Sequence, residues 1–296
     1  GVPWLPMIVL DYALEAETGA PCIRQLELRA PGFAVTRARY TGCRFFDHST
    51  GANPRSREWA KAVVVLEGTM TTTLDDAPIV LEPGDVITSP TWSSAPLYPI
   101  TRDSVGVKAS YRVGLVGSKV ERTRVSRLSK AALSELHDAL GATPGSDADA
   151  RAHGCIAAGV LGAHGVPVLR DAVDRACDEV REVDRTFASL VARAVFPLTR
   201  RTTLHELARG LFRGERQVVR TSNDFFRRHF ASVRSYREFA AGWRMAGAFA
   251  LLSRGSSSVE EVAASVGFSS GAALCHAFKR VGVPSPAVIQ ARYADP

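Results

Sequence analysis

The chain is poor in the features that mark several common classes of protein. No apolar run in its 296 residues approaches the ~20 needed to cross a bilayer. No charged segment followed by an apolar one marks a secretory start. A membrane partner is therefore not expected, and a cytoplasmic location is. Histidine is scarce, and His48 is the only one before His137. One histidine cannot supply a two-His-plus-carboxylate metal site, so no metal and no cofactor is expected, and His48 reads as a loop residue. The five cysteines (Cys22, Cys43, Cys155, Cys177 and Cys275) include no C-x-x-C pair. That argues against a disulfide framework or a zinc site and suits a reducing compartment. No Ser/His/Asp or Cys/His nucleophile motif is evident either, so the chain is not expected to be an enzyme.

What remains is a globular composition, 46% hydrophobic and 23% charged, long enough for two domains with cores. The net charge of +7 is unevenly placed. Residues 181–296 hold 18 Lys and Arg against 9 Asp and Glu, while residues 1–180 hold 19 against 21. A basic half joined to a near-neutral half is the electrostatic footprint of a nucleic-acid binder. It is informative only where a binding motif coincides with it.

Such a motif lies in residues 258–286. Ser258 and Glu261 have capping-box spacing, so a helix is expected to start there. Val259, Val262, Ala263 and Val266 then fall at i, i+3, i+4 and i+7, one buried helical face. Gly267 supplies the turn, Phe268 an anchor, and Leu274 and Phe278 the buried side of a second helix that ends at Lys279 and Arg280. Two short helices around a glycine turn are the helix-turn-helix plan, whose second helix enters the DNA major groove. Leu204, Leu207, Ala208 and Leu211 repeat the same spacing 55 residues earlier, behind Thr203 as a cap. A helix over residues 235–252, with Phe239, Trp243, Ala246 and Leu251 inward, would join the two units.

These residues resemble the C-terminal signature of the AraC/XylS transcription regulators, at Val262–Ala263, Gly267–Phe268, Leu274, Phe278–Lys279 and Pro286. Two helix-turn-helix units on a long joining helix are what that family implies. The first unit departs from the pattern. Residues 211–214 replace the usual turn, and the spacing from Arg220 to Arg244 is several residues too long. Its recognition helix is thus either extended or followed by an insertion, with Phe225, Phe226 and Phe230 as displaced anchors.

Residues 1–120 read as short strands separated by Gly, Pro and Asp turns, a barrel or a sandwich. Within them LEGTMTTTLDDAPIVLEPGDVI resembles the cupin core of the same regulators, which implies an N-terminal cupin-like β-barrel. A barrel without metal can bind a small molecule in its mouth. Phe45, Trp59, Trp92 and Tyr98 are the aromatics that could line such a pocket, or could simply be core. Residues 121–182 read as a helical connector, with a loop over 141–149 and a helix over 168–183. In the family such helices often pair subunits, so a homodimer is implied. Residues 183–296 complete an α+β multidomain chain as the DNA-binding domain.

Major-groove readout uses side chains that reach base edges. By alignment with the family, Arg216, Gln217 and Arg220 are expected to face double-stranded DNA from the first recognition helix. A solvated basic face touching phosphate alone is the other reading of these residues. The second recognition helix offers Gly271, Ala272, Cys275 and His276, with Lys279 and Arg280 for phosphate. The function that results is a sequence-specific transcription regulator of the AraC type, responsive to a small molecule. A regulator whose barrel serves only as a dimer or partner module is the alternative, and a cupin enzyme a third.

Overall fold

The computed structural model describes residues 7–15, 21–43, 58–74, 77–90, 98–99, 101–116, 120–200, 202–211, 214–231 and 233–293. The strands are β1 (Ile8–Glu15), β2 (Pro21–Ala30), β3 (Phe33–Tyr40), β4 (Trp59–Glu67), β5 (Met70–Leu74), β6 (Ala77–Leu81), β7 (Asp85–Ser89), β8 (Tyr98–Pro99), β9 (Ser104–Arg112) and β10 (Arg124–Arg127). Seven form one antiparallel sheet in the order β1-β2-β3-β9-β4-β7-β10, and three form a smaller sheet in the order β6-β5-β8. Among the described residues this is not a closed barrel. The large sheet has free edges at β1 and β10, and the small one meets it through side chains: Met70 and Leu81 pack on Val63, Val65 and Ile87. The expected turn of Glu82, Pro83, Gly84 and Asp85 is present, with Gly84 at φ +94° before β7.

The central strands β4 and β7 are buried on both faces because the large core cluster covers one face and the smaller sheet the other. Every residue of β4 except Glu67 is buried. On one face lie α1 (Lys130–Leu140), α2 (Asp147–Ala163) and α3 (Arg170–Cys177). Met7 marks this side, since a Cβ on Gly154 of α2 would collide with its thioether. Tyr12 marks the other side. Its ring centroid lies 4.9 Å from that of Trp243 and 5.7 Å from that of Phe196. Residues 168–183 are not a single helix. The chain breaks after Cys177, and Arg181 and Asp184 cap a new start.

The remaining helices are α4 (Glu182–Val195), α5 (Leu204–Gly210), α6 (Glu215–His229), α7 (Tyr236–Leu252), α8 (Val259–Ser265), α9 (Gly271–Val281) and α10 (Pro286–Tyr293). One hydrophobic cluster runs from β1 through the connector into α4, α6, α7 and α9. The sheet and the C-terminal helices thus share a core. Among the described residues no helix is long and apolar enough to cross a membrane.

Candidate nucleic-acid interface

Helices α5 and α6 form one helix-turn-helix unit and α8 and α9 a second, with α7 between them. Both units start on a reciprocal capping box. Thr203 Oγ1 accepts from the Glu206 amide at 3.2 Å, and Glu206 Oε2 accepts from the Thr203 amide at 2.6 Å. The corresponding distances for Ser258 and Glu261 are 3.2 and 2.7 Å. Leu207 and Ala208 are buried in one unit, and Val262 and Ala263 in the other. In the second unit the turn needs its glycine. Gly267 has φ +77°, and a Cβ there would lie 2.6 Å from the Leu198 carbonyl oxygen. The Phe268 amide then reaches back to Ala263 O at 2.8 Å.

The buried side of α6 is Val218, Ser222, Phe225, Phe226 and His229. That fixes its outward side. Arg216, Gln217 and Arg220 are exposed there. Val219, 38% exposed, and Asn223 continue the stripe Arg216, Val219, Arg220, Asn223 at i, i+3, i+4 and i+7. Neither was singled out in the sequence, although the period of the buried residues already implies both. In α9 the buried residues are Gly271, Leu274, Ala277 and Phe278, and Ala272, Cys275, His276, Lys279 and Arg280 are exposed. Gly271 therefore departs from the expectation. It is buried at the start of α9 on the same side as Leu274 and Phe278, turned away from the exposed stripe.

Helix α6 has 15 residues against 11 in α9. Helix α6 is thus extended, which accounts for the long spacing from Arg220 to Arg244. Its extra turn runs into the sheet. The last carbonyls of a helix lack intrahelical partners, and α9 satisfies its own with a left-handed Gly282 at φ 73°. Helix α6 ends instead on extended Phe230, and donors from the sheet take up its carbonyls. Arg112 Nη2 donates to Arg227 O at 2.6 Å, Gly32 N to Arg228 O at 2.9 Å, and Arg29 Nη1 to His229 O at 2.7 Å. The guanidinium of Arg29 also stacks 3.7 Å from the Phe230 ring centroid and pairs with buried Glu27 at 2.7 Å. Two cations at a helix C-terminus also suit its dipole.

On the connector side of α6, buried Asp184 accepts from Arg181 Nη2 and Nε at 2.6 and 3.0 Å, and His229 Nε2 lies 3.4 Å from Asp184 Oδ2. Burial works to raise the Asp184 carboxyl. The His229 contact and the paired Arg181 bonds together outweigh burial and hold it well below the usual range. Burial pushes His229 below its ordinary value despite the carboxylate, so the ring is neutral at neutral pH and Arg181 supplies the counter-charge. Arg227 and Arg228 serve structure here. Arg227 pairs with Asp224 at 2.6 Å, and Arg228 donates to Glu179 O at 2.7 Å.

Of the aromatics expected at a ligand pocket, Trp59 is 1% exposed. It packs on Ala231 just beyond α6, with Arg112 5.5 Å from its ring centroid. It therefore belongs to the contact between sheet and recognition helix, not to an open mouth. Phe45 and Trp92 lie outside the described residues, as does His48. Tyr98 opens β8 opposite Thr71 of β5. Among the described residues no group of three or more His, Cys, Asp or Glu could hold a metal ion.

Two capped helix-turn-helix units on a joining helix, packed against an antiparallel sheet, define the class of architecture. No protein-family model matches the chain, and no curated protein sequence matches it. Among solved structures it is similar to ToxT from Vibrio cholerae, with TM-score 0.37 and 11% identity over 87% of this chain and 98% of that one. A wild-type ToxT with bound unsaturated fatty acid gives TM-score 0.37 and 11% identity over 89% and 98%. The protein Ylba from E. coli gives 0.33 and 13% over 44% and 55%. At such TM-scores these likenesses are distant, and the functional reading rests on this chain's own side chains.

Proposed function

We propose that the protein is a DNA-binding transcription regulator of the AraC type. Its two recognition helices, α6 and α9, would enter the major groove of one duplex. The observation that carries this reading is the repeated unit: two capping boxes 55 residues apart, each followed by a second helix with a polar stripe turned to solvent. Arg216, Gln217, Arg220 and Asn223 supply base-reading chemistry, and Val219 suits a thymine methyl. Ala272, Cys275 and His276 offer no bidentate reader. The second unit then mainly positions, through Lys279 and Arg280 on phosphate, while the first discriminates. The β domain of residues 1–120 acts as the sensor of a small molecule, and residues 121–182 as the helical connector that pairs two copies in the cytoplasm. Such an effector would act through its different affinity for two arrangements of sheet and recognition helix.

Selection of bound sequences from random double-stranded DNA at two salt concentrations tests the proposal. An enriched motif is expected. A steep salt slope with no motif would leave only phosphate affinity and defeat it.

A further inference from the structure

The two carboxylates of α6 have different surroundings. Asp224 lies between two guanidiniums, those of Arg181 and Arg227, at 2.6 Å each. Glu215 is the first residue of the helix, and among the described residues it pairs with no Lys or Arg. Its polar contact there is with His205 of α5, whose Nδ1 lies 2.8 Å from Glu215 Oε1. An ionised carboxylate only accepts, so the bond places the ring proton on Nδ1. Both side chains stand in solvent, 66% and 62% exposed. The bond uses Oε1 and leaves Oε2 without a partner among the described residues. Glu215 lies one turn before Val219, so it carries the exposed stripe of α6 on to the tip of the helix. Gly214 leaves that tip bare, since even a Cβ there would meet no atom of the described residues within 4 Å. The second unit has no counterpart, because no acid stands in the first turn of α9.

We propose that Glu215, positioned by His205, selects a cytosine in the major groove and is a specificity-determining residue of the first unit. This rests on the DNA-binding reading above. The N-terminal residues of a recognition helix are the ones that meet base edges. Oε2 can only accept a hydrogen bond, and two bases offer it a donor in the major groove, cytosine at N4 and adenine at N6. Adenine sets the acceptor N7 beside its amino group, which repels a carboxylate, whereas cytosine presents its amino group alone. Guanine and thymine turn acceptors toward the same point, so they are opposed by repulsion as well as by a missing bond.

His205 acts through Glu215. A glutamate at the bare tip of a helix has rotamers that swing its charge away from the phosphates of an approaching duplex. The bond from Nδ1 holds the carboxylate in one place before DNA arrives, so that ordering is not charged against binding. The same bond ties the start of α6 to α5, the helix that crosses the DNA backbone in this plan.

The test is selection from random double-stranded DNA by the full-length wild type and by Glu215→Ala, Glu215→Gln, His205→Ala and His205→Gln, each with thermal unfolding unchanged. One position of the wild-type motif is expected to favour cytosine about fivefold or more. Glu215→Ala should lose the preference at that position alone. Glu215→Gln should move it to adenine, because an amide can donate to N7 and accept from N6. His205→Ala should weaken the cytosine preference, and His205→Gln, which keeps a donor, should restore most of it. A Glu215→Ala motif identical to that of the wild type overturns the proposal and leaves the DNA-binding reading standing. Tighter binding of every sequence by Glu215→Ala, with no change of motif, also overturns it, because the carboxylate then acts on phosphate alone. So does a motif blurred at every position, which would mean that the pair only sets the angle between α5 and α6. A wild-type chain that selects no motif removes the DNA-binding reading itself, and the role of Glu215 with it.

Discussion

Arg29 is one of three donors through which the sheet holds the end of α6, and replacing it should have a cost that depends on Glu27. Arg29→Met, which keeps an apolar stem, removes three interactions. The charge-assisted bond to His229 O, at 2.7 Å, is worth about 1.5–3 kcal/mol. The stacking on Phe230 at 3.7 Å is worth about 0.5–2 kcal/mol. Glu27, 6% exposed, is left without its guanidinium, and breaking a buried pair from one side costs about 3–5 kcal/mol. These overlap, so the variant should lose about 3–5 kcal/mol in urea unfolding. Glu27→Met/Arg29→Met removes the orphaned carboxylate and should lose only about 2 kcal/mol relative to wild type, the bond to His229 O and the stacking on Phe230. Amide exchange should accelerate in the last turn of α6 in both variants and stay unchanged in α9. A single variant that loses less than about 1 kcal/mol, or a double variant as unstable as the single, would refute the clamp.

Other substitutions bear on the units themselves. Gly267→Ala should destabilise by more than about 1 kcal/mol in thermal unfolding, because φ +77° and the Leu198 carbonyl at 2.6 Å both oppose a Cβ. Arg216→Ala should cost about 1–3 kcal/mol at one base pair and relax specificity there, whereas Lys279→Ala should weaken all sequences alike. Binding selections compare the two, and a specificity change confined to Lys279→Ala would reverse the assignment. Acid should destabilise the protein in two windows. The folded His229 pKa is lowered, so the unfolded chain binds more protons and stability falls as pH drops below about 6.5. Asp184 is held below its ordinary value, so its contribution is present above about 3.9 and lost as pH falls further. Urea midpoints at several pH values should show the upper window shrink in His229→Asn. An unchanged slope there would locate the acid sensitivity elsewhere.

The helical half was largely legible because each signal in it is local. A cap, a glycine turn and apolar residues at fixed spacing lie within a dozen residues of one another, and Thr203, Ser258 and Gly267 take the positions their chemistry implies. The β half was legible as strands but not as a closed or open sheet. Closure depends on which edges pair, and the run 62–65 is apolar whether its cover is another strand or a helix. The break at residues 178–181 is not legible because apolar periodicity continues across it through Val180, while what marks the new start is the bond of the Arg181 amide to Asp184. Gly271 was misplaced for a related reason. A small residue at a helix start suits either face of the helix, and only the packing of α9 against its neighbours decides.

What the sequence could not convey is why its two similar units end differently. The glycine after α9 lets that helix finish alone, while α6, four residues longer and without such a glycine, hands its last carbonyls to Arg29, Gly32 and Arg112. These partners lie some 115 to 200 positions away along the chain, so no local pattern joins them. The consequence is an asymmetry of control. A shift of the β2–β3 turn or of the end of β9 changes the donors of α6 directly, whereas none of these three donors touches α9. If the sheet senses anything, the first unit is therefore the one it commands. On the proposed DNA-binding reading, that unit also carries the arginines, glutamine and asparagine whose chemistry can distinguish base pairs, so a signal from the sheet would alter which sequences are bound, and not merely how tightly DNA is held.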